Sequence, residues 1–314
     1  MRRSNGAWGN VEPRFSIIEA PSILGLKPSG VEHLPEALKR AGLYKALSAE
    51  YAVHVEPLLY NPERDKETRL LNPSSIRVFS LRLADMVGSV LKNDRFPIVL
   101  GGDCSIILGN LLALRRIGRY GLCFIDGHAD FYQPEASLTG EAADMDLALV
   151  SGRGPDVVTN IDGLKPLVRD EDTVVFGFRD AEEAARYGSQ DVRATGMHIF
   201  DLSYIRSVGI NYAAQRAVDH LTRDTLAGFW IHIDADVLDD TIMPAVDYRL
   251  EGGLTFDELS STLQILLASE KAAGIDVTIF NPTLDPDGSI ARELTHSIAN
   301  GLKPYLEETA LRPK

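Results

Sequence analysis

The segment GLCFIDGHAD (121–130) decides how this chain is read. An apolar run, Leu122 to Ile125, breaks abruptly into Asp126, Gly127, His128 and Asp130. A short continuous apolar run bounded by turn residues is the pattern of a strand buried on both faces. Two other segments have the same form: RFPIVLGGD (95–103) runs on into Cys104 and Ser105, and GFWIHID (228–234) leads to Asp236. Further strand candidates are FSIIEAP (15–21), DTVVFGF (172–178), GMHIFD (196–201) and GIDVTIFN (274–281). Helical spacing of apolar residues fills the intervals at 33–50, 75–93, 105–118, 255–274 and 290–308. Buried strands alternating with helices predict an α/β fold with a parallel sheet covered on both faces. In such a fold the chemistry sits past the carboxyl ends of the strands.

Composition narrows the function classes. The 314 residues carry 32 Lys and Arg against 45 Asp and Glu, a formal charge of −13, so no basic surface is available for nucleic acid. No stretch approaches the roughly 18 apolar residues of a membrane span, and no signal-peptide core follows the first arginines. Two cysteines, Cys104 and Cys123, cannot build a disulfide framework, so a cytoplasmic location is expected. Without repeats or low-complexity linkers, the economical division is a loose arm at 1–13 followed by one domain at 14–314.

Three of the predicted strands end in acids. On an extended chain residues i, i+2 and i+4 share a face, which would align Asp126, His128 and Asp130, and likewise Asp234 and Asp236. Four carboxylates and an imidazole at neighbouring strand ends repel unless cations neutralise them. Such hard donors suit divalent ions, and their number favours two. His232, two positions before Asp234, is expected to be a packed or supporting residue, and Cys123 a small core residue.

The order and separation of GGDCS, D-x-H-x-D and D-x-D-x-x-D resemble those of the ureohydrolases, which comprise arginases, agmatinases and formiminoglutamases. SIIEAPSILGLKPSGVEHLPEALKRAGL (16–43), MPAV, GGLT and the late NP are also similar to that family. The resemblance implies a three-layer α/β/α fold with an eight-stranded parallel sheet, assembled as trimers or hexamers. It also implies a dinuclear centre, commonly manganese, whose hydroxide attacks a guanidino or amidino carbon. By position, Asp126 and Asp234 would bridge the ions, Asp130 would complete the first site, and His128 and Asp236 the second. Asp130 or a neighbouring carboxylate would take the remaining proton.

The departures from the family pattern bear on metal and substrate. Cys104 stands where most members have a histidine ligand; as a thiolate it would add charge and favour Zn²⁺, Ni²⁺ or Co²⁺ over Mn²⁺. Tyr132 replaces an Asn of the arginases, and TGEAADMD (139–146) replaces their S-G-N-L-H-G-M-P. Glu141 thus stands at the second Asn, Ala143 at the proton-shuttle histidine, and Asp144 and Asp146 at the G and P. Asp144 has an alternative reading as the cap of the helix MDLALVSG. Ile279 replaces the Glu that pairs with a guanidinium, a role for which Asp247 is a nearby substitute; Tyr248 stands at an arginase Thr.

The expected function is hydrolysis of a C–N bond in a small guanidino or amidino compound, agmatine-like ahead of arginine, with Glu141, Asp247 and Tyr248 on the substrate side. The alternatives are an amide or formimino hydrolase, and an inactive member serving as a binding subunit.

Overall fold

The computed structural model describes residues 14–310, so the arm expected at 1–13 lies outside the described residues. The strands are β1 (Phe15–Ala20), β2 (Glu50–His54), β3 (Phe96–Gly101), β4 (Gly121–Ile125), β5 (Thr173–Phe176), β6 (His198–Phe200), β7 (Phe229–Asp234) and β8 (Ala272–Thr278). They form one eight-stranded sheet in the order β2-β1-β3-β8-β7-β4-β5-β6, and every pairing is parallel.

Helices alternate with the strands: α1 (Leu34–Arg40), α2 (Leu43–Ala46), α3 (Pro73–Lys92), α4 (Ile107–Arg115), α5 (Asp146–Val150) and α6 (Asp156–Thr159) in the first half, then α7 (Ala181–Arg186), α8 (Leu202–Val208), α9 (Ile210–Leu221), α10 (Phe256–Ala268) and α11 (Ser289–Ala310).

The pleat divides the core in two. Ile17, Ile98, Cys123, Ile125, Ile231 and Ile233 join side chains of α1, α9, α10 and α11 on one face. Ile18, Val99, Leu122, Phe124 and Trp230 join those of α3, α4 and α5 on the other. This is the expected α/β/α sandwich. Each fully buried aliphatic or aromatic side chain contributes about 1.5–3 kcal/mol, so strands packed on both faces are the main source of stability. No helix among the described residues is long and apolar enough to cross a membrane.

Two details differ from the periodicity. The helix expected over 33–50 ends at Arg40, because Gly42 takes a φ of 95° and starts the separate turn α2. The same stretch ends in β2, an edge strand whose sequence EYAVH lacks the apolar run of the others. At the other end of the sheet's sequence order, the helix expected to reach 274 stops at Ala268, and β8 has already begun at Ala272.

Candidate metal centre

The central strands β3, β8, β7 and β4 lie side by side, so their carboxyl ends deliver Cys104, Ile279, Asp234 and Asp126 to one place. The turn after β3 is tight: a Cβ on Gly102 would sit 1.8 Å from the Ser22 carbonyl oxygen, so only glycine fits. Asp103 then accepts hydrogen bonds from the Ser105 amide (2.9 Å) and the Ser22 hydroxyl (3.0 Å), fixing the short turn that starts with Cys104. Asp103 is thereby occupied by the turn itself.

The acids converge, though by a different route from the extended-chain argument. Strand β4 ends at Ile125 and the chain curls. Asp126 Oδ1 accepts the His128 amide at 2.6 Å, and Asp130 sits in the left-handed region with φ 43°. Asp234 Oδ1 accepts the Asp236 amide at 2.7 Å and caps a single turn, Ala235–Val237. Carboxylate-to-amide turns therefore aim these side chains. Gly127 closes the two segments together, its amide donating to Asp236 Oδ1 at 3.1 Å.

Two clusters result. In the first, ligand atoms of Asp126, His128 and Asp236 all lie within 4.8 Å of one another. His128 Nδ1 is 2.9 Å from Asp236 Oδ2. Burial alone would lower the His128 pKa, but the Asp236 carboxylate outweighs it and holds the imidazolium at about 9. Burial raises the Asp236 pKa, and the facing His128 charge brings it below the ordinary value. In the second cluster, Cys104, Asp146 and His232 likewise offer ligand atoms within 4.8 Å. Cys104 Sγ donates to Asp234 Oδ2 at 2.8 Å and lies 3.1 Å from Thr278 Oγ1. Burial, reinforced by the Asp234 charge, pushes the thiol well above its ordinary range.

Asp130 lines the cavity between the clusters and the surface. Burial and then mutual repulsion raise the Asp126, Asp130, Asp146 and Asp234 carboxyls well above the carboxylate range. Asp126 Oδ2 is buried without a hydrogen-bond partner among the described residues. Orphaned, mutually repelling acids fit a cation site, where ions supply the missing partner.

A cavity of about 250 Å³ opens above these groups. Glu141 lines it and is 1% exposed. Its Oε2 accepts the Tyr248 hydroxyl at 2.8 Å, and its Oε1 lies 3.3 Å from Lys27 Nζ. Tyr248 therefore reaches the cavity as well. Asp247 is placed elsewhere: it accepts the Asn281 amide at 2.8 Å and lines an adjoining cavity shared by Lys27 and Arg249. Asp144 does not cap α5, which has no side-chain cap. Its carboxylate takes the Ser137 (2.8 Å) and Thr139 (3.2 Å) hydroxyls, and burial lifts its pKa to about 7.

Three side chains in or behind the site were not singled out by spacing. Asp146, the first residue of α5, reaches the site across 20 residues of loop. Asp276 sits inside the apolar strand β8, and only the register, which pairs it with His232, reveals its partner. Asp180 accepts the Ala129 amide at 3.1 Å and lines the cavity beside Glu183. An acid within a buried strand was the one available signal for Asp276.

Comparison with known proteins agrees with this fold. The sequence model of the Arginase family matches residues 14–302. An arginase of Bacillus caldovelox is 30% identical over 296 residues, covering 92% of this chain and 96% of that one. An arginase of Staphylococcus aureus is 27% identical over 287 residues, covering 89% and 93%. The native structure of the Bacillus caldovelox arginase superposes with a TM-score of 0.83 at 27% identity, covering 92% of this chain and 97% of that one.

Proposed function

Because this chain belongs to the arginase family, we propose that it is a dinuclear metal-dependent hydrolase cleaving a C–N bond of a guanidino or amidino compound, with an amine-bearing, agmatine-like substrate ahead of arginine. The observation that carries the reading is the convergence of Cys104, Asp126, His128, Asp130, Asp234 and Asp236 beneath one cavity.

In this reading Cys104, Asp126, His128, Asp130, Asp234 and Asp236 would together hold two ions. Manganese is the family expectation; the Cys104 sulfur favours zinc, nickel or cobalt. When bound, such ions lower the pKa of a shared water and so supply a nucleophile at neutral pH.

The remaining work belongs to the chain. Asp130 faces the cavity at 8% exposure, so its carboxylate is placed to take a proton from water and return it to the leaving nitrogen. Tyr248 steers the Glu141 carboxylate by its hydroxyl. Asp130, Glu141, Asp144, Asp180, Glu183, Asp234 and Asp236 line the cavity, and no lysine or arginine among the described residues does. A cationic substrate is favoured there, and a free carboxylate is repelled. Ile279, also in the lining, offers an apolar contact and no ion pair.

Arginine is the second reading. Lys27 beside Glu141, with Arg249 in the adjoining cavity, offers two cations that a carboxylate could reach, and the relatives above are named arginases. With this reading go a single domain over 14–314 and a cytoplasmic location, proposed from the sequence pattern and the two cysteines, and a homo-oligomer, trimer or hexamer, proposed from the family alone.

The test is elemental analysis of protein purified without added metal, followed by a panel of agmatine, arginine and amide or formimino compounds. About two ions per chain and urea release fastest from agmatine would support the proposal. Faster release from arginine would transfer the assignment to that substrate. Ammonia without urea would point to amide or formimino chemistry, and failure to bind any divalent ion would leave a binding subunit.

A further inference from the structure

We propose that Cys104 Sγ, His232 Nε2 and the Asp146 carboxylate form a mixed sulfur, nitrogen and oxygen metal site, and that the first ion is held there. The inference rests on the dinuclear reading above and assigns new ligands within it.

The three side chains come from separate elements: the turn after β3, the middle of β7 and the first residue of α5. Their ligand atoms nevertheless lie within 4.8 Å of one another, and His232 Nε2 is 4.0 Å from Asp146 Oδ2. His232 and Asp146 are 0% exposed. Neither Asp146 oxygen nor His232 Nε2 has a hydrogen-bond partner among the described residues. A fully buried carboxylate with both oxygens unmatched, facing an unmatched ring nitrogen, is a costly arrangement that a cation between them relieves.

The other side of the imidazole is built for this role. His232 Nδ1 lies 2.5 Å from Asp276 Oδ2. Asp276 Oδ1 accepts Asn110 Nδ2 at 3.0 Å and also the Trp230 indole N–H. The Phe124 ring stacks on the imidazole, with centroids 4.8 Å apart. An anchored carboxylate accepting from Nδ1 fixes the proton there and leaves the Nε2 lone pair for a metal, the usual support of a ligating histidine.

Cys104 Sγ hydrogen-bonds to Asp234 and touches Thr278, so the thiol is aimed at a carboxylate rather than activated by the imidazole. That orientation argues for a ligand and against a Cys–His nucleophile. The imidazole missing at position 104 is thus supplied from β7. Sulfur, nitrogen and carboxylate donors together suit zinc or cobalt.

The experiment uses the full chain stripped of metal and reloaded with Co²⁺ alone. The wild type should take about two ions and show a thiolate-to-cobalt charge-transfer band. His232→Gln and Asp146→Asn should each lower affinity for one ion by more than the roughly 100-fold upper range for losing a residue behind a ligand and weaken that band, leaving the other ion in place. In His128→Ala, X-ray absorption of the remaining cobalt should show sulfur and imidazole on the same ion; this reading survives even if the first two variants fold poorly. Wild-type ion content, affinity and band in both His232→Gln and Asp146→Asn would overturn the proposal while leaving the dinuclear hydrolase intact. Failure of the wild type to bind any ion would remove both readings.

Discussion

The two ligand clusters differ in how far each satisfies itself. Asp126, His128 and Asp236 go further toward satisfying one another: an ion pair at 2.9 Å, an amide on each carboxylate, one oxygen left over among the described residues. Cys104, Asp146 and His232 leave three buried polar atoms unmatched, although His232 is anchored from behind by Asp276. The first cluster is therefore the less dependent on an ion, and the second the more. A dinuclear centre built this way should load asymmetrically, with each half depending on different residues.

The largest effect is expected at the carboxylate that belongs to both halves. Asp234→Asn removes charge beside Cys104 and disturbs the capped turn carrying Asp236; ion content should fall below one per chain and activity to background, as read by elemental analysis and urea assay. Asp276→Asn acts on one half alone. Loss of the anion that orients His232 should weaken one ion about 10- to 100-fold, with the second ion's titration unchanged. Equal weakening of both would dissolve the distinction between the clusters.

Glu141→Gln probes the cavity above them: it should lower kcat/KM for cationic substrates and raise it for zwitterionic ones, since Glu141 is paired with Tyr248 and Lys27 rather than with either cluster. Equal, unchanged turnover of both substrate types would remove its proposed role. Cys123→Ala provides the contrast to Cys104. Its thiol is wholly buried among apolar side chains, so the variant should lose about 1 kcal/mol of stability in urea titrations and keep its metal.

The smallest effect lies outside the centre. Burial lowers the His220 pKa to about 4, and its Nε2 is 2.9 Å from the Glu171 carbonyl oxygen. The folded value lies below the ordinary one of about 6.5. Its contribution is therefore complete above that pH and is lost as the pH falls toward 4. In His220→Gln the drop in Tm between pH 7 and 4.5 should shrink by at most a few degrees.

How much of this was legible in the sequence follows from the same contrast. The self-satisfied cluster lies within two short motifs, and its members were readable from spacing, although carboxylate-capped turns rather than an extended strand bring them together. Cys104 was legible because it follows Gly-Gly-Asp. Asp146 and His232 meet only when α5 lies over β7, and Asp276 meets His232 only through sheet register. Tertiary placement of that kind leaves no local pattern. The strands divide similarly: seven announced themselves as apolar runs, while β2, at the edge, carries exposed Glu50 and Tyr51 and has no such run to mark it.

Ile279 has a φ of 69°, an unfavourable conformation for a β-branched residue. Its amide is tied to the Gly102 carbonyl oxygen at 2.9 Å, and the Asn281 amide to that of Ala245 at 2.8 Å, so the twist belongs to the backbone and not to the isoleucine. Whatever side chain occupies the position inherits the same posture and the same view into the cavity. A lineage could therefore exchange an apolar contact for an acidic one here by a single replacement, altering which molecules are accepted while the scaffold stays as it is.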